Sequence, residues 1–373
     1  MWRSGPAQFA AVVLVLASGV LIVAAGCSNP PKIGASTASI DKDGDFVGDS
    51  ACAPCHAAEH NAHFGSRHAT TLRAANRATL KDLTPPLGVV PLAGYSIEEQ
   101  NGGLVLSRHA VSPEQIQPLS YVLGSGKLGM TYVSVLNADT LLETKMSYFP
   151  PWHVWDTTPG QEVNLPGDTI FGRIHPGKVA QMCIDCHSTT VAKASLTPDP
   201  KFFGVGCESC HGPGRSHVMA MQAGNTTQTH MEPLGSLSAT KLNALCGRCH
   251  RSLKDVDVDS PEVKLTNRFQ PYALFRSACR QPNGEPLSCL SCHDPHTNAS
   301  TDIKKYEAVC LDCHSEQKTH NRAHSDQGKA AKLCPVNKAA GCIGCHMPPK
   351  KAFSLTSIPA TMADHLIAIH AKH

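Results

Sequence analysis

The pattern C-x-x-C-H occurs seven times in this chain, at Cys52/Cys55/His56, Cys183/Cys186/His187, Cys207/Cys210/His211, Cys246/Cys249/His250, Cys289/Cys292/His293, Cys310/Cys313/His314 and Cys342/Cys345/His346. This is the attachment signature of a c-type haem. Thiols three residues apart face the same side of a helical turn and can form thioethers with the two haem vinyl groups. The next residue then places an imidazole under the iron. The reading is seven covalently attached haems c.

A zinc ribbon also uses C-x-x-C pairs. It would combine them into closed tetrahedral sets and would be indifferent to the residue that follows. Histidine makes up 21 of the 373 residues, so a histidine after all seven pairs is not a chance outcome.

The N-terminus fixes the compartment. Arg3 precedes an apolar run from Phe9 to Ala25, which ends in Ala24-Ala25-Gly26-Cys27. A charged start, an apolar core and small residues before a lone cysteine read as a lipoprotein signal, with Cys27 carrying the lipid. The other reading is an uncleaved membrane anchor, since about 17 apolar residues sit at the lower limit for a span. Either way the chain is exported and tethered, in agreement with haem attachment outside the cytoplasm. Ser28 after the cysteine resembles the pattern of proteobacterial lipoproteins sorted to the outer membrane, so the expected location is the cell envelope, facing the periplasm or on the outer membrane.

Only 5% of residues are aromatic, low for a chain that must fill a large core. Six of the seven motifs fall between Cys183 and His346, where porphyrin would supply the apolar packing surface. The formal charge is +3. Seven ferric haems with ionised propionates would bring the whole to about −4. No cluster of lysine or arginine points to nucleic acid.

Residues 1–26 read as the signal peptide, 27–48 as a flexible tether rich in small and polar residues, 49–84 as a first haem segment, 85–170 as a β-rich insert and 171–373 as a hexahaem segment. In the insert, Asn101-Gly102-Gly103 between Tyr95–Gln100 and Leu104–Arg108 is a hairpin signal, and Tyr121–Leu123, Met130–Val135 and Leu141–Tyr148 read as further strands. The expected fold is mainly α with much coil, packed around haem, with a small β insert between the first and second haem. The starts of motifs two and three lie 24 residues apart and those of five and six 21 apart, spacings that suggest locally paired haems.

Beyond the seven motif histidines there are fourteen others, and seven are needed if every iron carries two imidazoles. Here a resemblance enters. Cys52 to His56 followed by Gly65-Ser66-Arg67-His68-Ala69, C-E-S-C-H-G-P-G-R-S-H-V from Cys207, C-L-S-C-H-D-P-H from Cys289 and C-I-G-C-H-M-P from Cys342 resemble multihaem c-type cytochromes of the superfamily that holds hydroxylamine oxidoreductase, pentahaem nitrite reductase and their small electron carriers. Tyr121 to Gly126 and Trp155 to Gly160 are similar to family elements too. The resemblance implies that His68, His217 and His296 are distal ligands, each serving a haem other than the nearest in sequence. It also implies ligand roles for His324 and His365, with His175, His230 and His320 weaker candidates.

Two cysteines lie outside the motifs and the lipid site, Cys279 and Cys334. In an exported protein they suggest a disulfide; the other reading is a pair of free buried thiols. The function these features favour is electron transfer in the cell envelope between redox protein partners or other multihaem cytochromes, with a higher assembly as a further option. The alternative is a reductase or oxidase of small nitrogen or sulfur compounds with one open-coordinate haem. All seven motifs end in histidine, so a lysine-ligated catalytic haem is absent.

Overall fold

The computed structural model describes residues 45–80, 88–89, 94–109, 114–227, 229–231, 233–253, 268–279, 281, 284–315, 333–337, 339–353 and 356–370. Cys27, His320 and His324, with residues 1–26 and most of the tether, lie outside them. The described residues all belong to one compact unit, Thr37–His373.

Twelve strands run in chain order as β1 (Leu72–Ala74), β2 (Gly88–Val89), β3 (Tyr95–Gln100), β4 (Gly103–Arg108), β5 (Gln115–Pro118), β6 (Tyr121–Leu123), β7 (Met130–Asn137), β8 (Thr140–Phe149), β9 (Val154–Thr157), β10 (Gly172–Pro176), β11 (Pro349–Lys351) and β12 (Thr361–Ala363). They form three antiparallel sheets. The first is six-stranded, with order β1-β6-β7-β8-β10 and β9 paired to β8; the second is four-stranded, β2-β3-β4-β5; the third is the hairpin β11-β12. The β3–β4 hairpin turns on Asn101 and Gly102, whose φ values of 52° and 80° are the left-handed pair that a tight hairpin needs.

The expectation of a mainly α fold is overturned: with these sheets beside nine α-helices among the described residues, the fold is mixed α/β. The motif helices are short, so they contribute little helix for the number of haem sites they carry. Cys207–His211 and Cys342–His346 have five residues each. The sheet also reaches beyond the strands read from sequence, because β1 follows the first motif directly and β10 runs straight into the helix that carries the second.

The main core lies between the six- and four-stranded sheets, where Tyr95, Ile97, Leu104, Leu106, Val122, Met130, Tyr132, Leu142, Tyr148 and Trp155 are buried together. The helix Gly177–His187 lays Ala180 and Ile184 against Leu141, and Cys183 packs at the edge of the same cluster. One side of the sheet thus positions the second motif. The β11-β12 hairpin is anchored through Phe353, Ile358 and Ala360 against Phe149 at the end of β8.

Candidate functional site

Three motif helices end on their own histidine after a longer run: Gly177–His187, Ala239–His250 and Ile303–His314. Ser238 caps the second of these through Lys241 N–H, and Asp302 caps the third through Lys304 N–H. The first and fifth motifs open on 3₁₀ turns instead, Asp49–Ala51 and Cys289–Ser291.

Four motif imidazoles face a second imidazole from elsewhere in the chain. His56 faces His217 with ring centres 6.2 Å apart, and His250 faces His68 at 6.1 Å. His211 faces His296 at 6.3 Å, with the ring planes within 11°, and His293 faces His365 at 6.2 Å. This separation is too wide for stacking in van der Waals contact and suits an intervening metal. Two metal–imidazole bonds of about 2 Å, plus roughly 1 Å from each coordinating nitrogen to its ring centre, place ring centres about 6 Å apart. The residues present therefore fit a bis-histidine iron at each of the four places.

Hydrogen bonds select the coordinating nitrogen. Nδ1 of His217 donates to the Thr229 carbonyl at 2.7 Å, and that of His365 to the Ala363 carbonyl at 3.0 Å. His296 Nδ1 donates to Asp294 Oδ1 at 3.2 Å. Among the motif histidines, His187 donates to Thr71 O at 3.0 Å and His346 to Ala368 O at 2.9 Å. A carbonyl can only accept, so Nδ1 carries the proton and Nε2 is left with its lone pair for a metal. Burial lowers the pKa of His68, His187, His211, His250, His293 and His365. Neutral imidazole is the ligating form.

The structure brings His68, His217, His296 and His365 each to a motif histidine, and in each case to a motif other than the nearest in sequence. His324 lies outside the described residues. His175 turns instead to Glu143 at 3.1 Å, and His63 to the Val205 carbonyl at 2.8 Å. Among the described residues no second imidazole faces His187.

The motif cysteines are not uniformly enclosed, as residues lining a cofactor pocket made by the chain itself would be. Cys55, Cys210, Cys249 and Cys345 are exposed, whereas Cys52, Cys207, Cys246 and Cys342, the first cysteines of the same four motifs, are half-buried. The pocket expected around Cys55 and Cys345 is therefore corrected to an open surface position. The physical reason is positional: in all four motifs it is the second cysteine, adjoining the histidine, that projects from the turn. A thiol that must bond to a group outside the polypeptide has to project from it, and cover for these four sulfurs falls to the porphyrin edge rather than to side chains.

The expected Cys279–Cys334 disulfide is not formed: both are free thiols. Cys279 lies beside Cys292 and Cys313, and Cys334 accepts a hydrogen bond from Asn337 N–H at 3.5 Å, so each is occupied in a different neighbourhood.

Two carboxylates that sequence reasoning missed tie the first and third motifs together. Glu208, inside the third motif and 2% exposed, accepts from Val47 N at 2.9 Å, Gly48 N at 2.8 Å and Gly214 N at 2.7 Å. Asp49 accepts from Cys207 N at 2.8 Å. An acidic residue between the motif cysteines was visible in the sequence, but its partners Val47 and Gly48 lie some 160 positions away. Gly204, at φ 80°, lets the chain pass against the Ala69 carbonyl, where a Cβ would collide, and so brings Val205 N–H to the carbonyl of His68.

Comparison with known proteins converges on the same chemistry. Residues 170–212 match the family model for cytochrome c554 and c-prime, and residues 281–319 match the doubled CXXCH motif. The multiheme cytochrome MtrA of Shewanella baltica (strain OS185) is 27% identical over 214 residues, which are 52% of this chain and 60% of that protein. The cytochrome c-type protein NrfB of Escherichia coli O6:H1 is 26% identical over 148 residues, 37% of this chain and 66% of that protein. The chain thus spans less than two thirds of the length of these relatives. The crystal structure of the outer cell wall cytochrome OcwA shares the fold with a TM-score of 0.51 at 19% identity, covering 87% of this chain and 79% of that one. Paired imidazoles opposite C-x-x-C-H motifs, and matches that converge on those motifs, establish haem c as the cofactor and place this chain among the multihaem c-type cytochromes.

Proposed function

We propose that the chain is a heptahaem electron-transfer protein of the cell envelope, tethered through lipid on Cys27 after removal of residues 1–26, with residues 27–48 as the tether. The division into a first haem segment (49–84), an insert (85–170) and a hexahaem segment (171–373) belongs to the same reading. So does a place in the electron-carrier branch of the hydroxylamine oxidoreductase and pentahaem nitrite reductase superfamily. The observation that carries it is the set of four imidazole pairs, each joining a motif to a distant segment. Bound haem supplies a one-electron ferric/ferrous couple at each site. The motif cysteines anchor it, the two imidazoles hold both axial positions, and the buried Nδ1–H contacts keep Nε2 aimed at the metal, so ligands need not change when the charge does. His324 is the proposed distal ligand of one of the later motifs. The partners are redox proteins, other multihaem cytochromes among them, a class to which the relatives belong by name. Haem quantification with intact mass on the matured protein should give seven haems and no zinc; four or fewer would defeat the reading.

A second reading, a reductase of small nitrogen or sulfur compounds, is favoured by one observation: among the described residues His187 lacks the facing imidazole that four other motif histidines have. A carrier with all irons six-coordinate should show no fast binding of cyanide or carbon monoxide at neutral pH. Prompt uptake of one equivalent with loss of a high-spin resonance would select the reductase instead.

A further inference from the structure

Cysteine side chains of different motifs meet in pairs, and the pairs do not follow the order of the motifs along the chain. Cys52 of the first motif hydrogen-bonds Cys207 of the third, and the same two motifs are held together by Glu208 and Asp49. The third adjoins the fourth where Arg248 donates to the Ser209 carbonyl, with Cys210 beside Cys246 and Cys249. Cys186 of the second motif hydrogen-bonds Cys249 of the fourth, and its Sγ lies 3.7 Å from the Arg248 carbonyl.

From the fourth motif the contacts continue. Cys246 meets Cys289 of the fifth, whose backbone N–H donates to Asn243 Oδ1 on the fourth motif's helix at 2.9 Å. The His293 ring of the fifth motif lies 5.6 Å from Tyr306, one helical turn before Cys310 of the sixth, and Cys310 neighbours Cys292. Cys310 in turn hydrogen-bonds Cys342 of the seventh.

In the matured chain each of these sulfurs is a thioether on a porphyrin edge. Two sulfurs in contact therefore hold two haem edges side by side. We propose that the seven sites adjoin in the order one, three, four, five, six, seven, with site two branching from site four. Site four is the junction, touching sites two, three and five, and the array has three ends, at sites one, two and seven. Site two ends its branch against the protein: its other cysteine, Cys183, packs with Tyr121 and Phe203 on clusters around Leu141 and Leu72 of the sheet. An order that follows the sequence would instead pair sites two and three, whose motifs start 24 residues apart.

This inference rests on the heptahaem reading, and one experiment separates the two. Diffraction from crystals of the matured wild-type holoprotein, recorded at the iron absorption edge, locates every iron and assigns it to its motif. Iron two is expected to have iron four as its nearest neighbour, and iron four to have irons two, three and five as its three nearest. Iron two nearest to iron one or three, or iron five not flanked by four and six, would overturn the order. Fewer than seven iron peaks would overturn the heptahaem reading, while the adjacency of those present still tests the order.

Discussion

His217 lies six residues past the histidine of the third motif, yet its ring faces His56 of the first. A motif histidine is legible because its chemistry is local: two thiols one turn away dictate what it binds. The opposing imidazole has no such signature, since it is defined by a fold that returns it from far along the chain. His68, opposite His250, is 182 positions from its partner. Composition and spacing left fourteen spare histidines equivalent, and only resemblance to a family singled out some of them. His217→Met puts its role to the test. A thioether in place of the imidazole favours ferrous iron, so the haem count should stay unchanged while one reduction potential rises. Because Thr229 orients the native ring at 2.7 Å, His217→Ala should open the same iron to exogenous ligand. If the redox titration of His217→Met overlays that of the wild type, His217 is not a ligand.

At the scale of elements, the hairpin at Asn101 and Gly102 was legible because a two-residue turn with both φ values positive narrows the choice of residues. Strand β1 was not, because three residues carry no period, and its place is set by pairing with β6 across Leu72 and Leu123. The same limit hid the carboxylate that joins the segment before the first motif to the helix Cys207–His211. Glu208 is buried and accepts backbone N–H groups from Val47, Gly48 and Gly214. Charge-assisted bonds of this kind are stronger than neutral ones, and removing the acceptor strands several donors away from water. Glu208→Ala should therefore cost about 2–4 kcal/mol in reversible unfolding of the holoprotein, and Glu208→Gln, which keeps one acceptor oxygen, distinctly less. Since the clamp also fixes site one against site three, the alanine variant should show accelerated exchange of the amides of residues 45–52. An unchanged midpoint with unchanged exchange would mean that Glu208 holds nothing.

Across the whole molecule, the hydrophobic clusters are distributed unevenly. Every cluster is built on the sheets and on what packs against them, between Leu72 and Phe203 or from Ala352 to Met362; none includes a described residue from Gly204 to Lys351. Isolated buried side chains occur there, such as Tyr272 and Leu274, but they do not join into a core. Five of the seven motifs lie in that interval. The low aromatic content therefore marks a division of labour. Side chains pack the sheets, where Tyr132 and Trp155 stand 5.6 Å apart, and the cofactor must pack the rest. The two halves should respond differently when haem is withheld. In protein made without haem attachment, β7 and β8 have their own buried face, so their amides should keep slow hydrogen exchange. The segment from Cys207 to His314 has no core to protect it and should exchange at nearly the rate of an unfolded chain. Exchange read by mass spectrometry on the unmatured and matured proteins makes the comparison directly. Protection of the Ala239–His250 and Ile303–His314 helices without haem would show that polypeptide alone holds that half together, and would refute the assignment of its core to the cofactor.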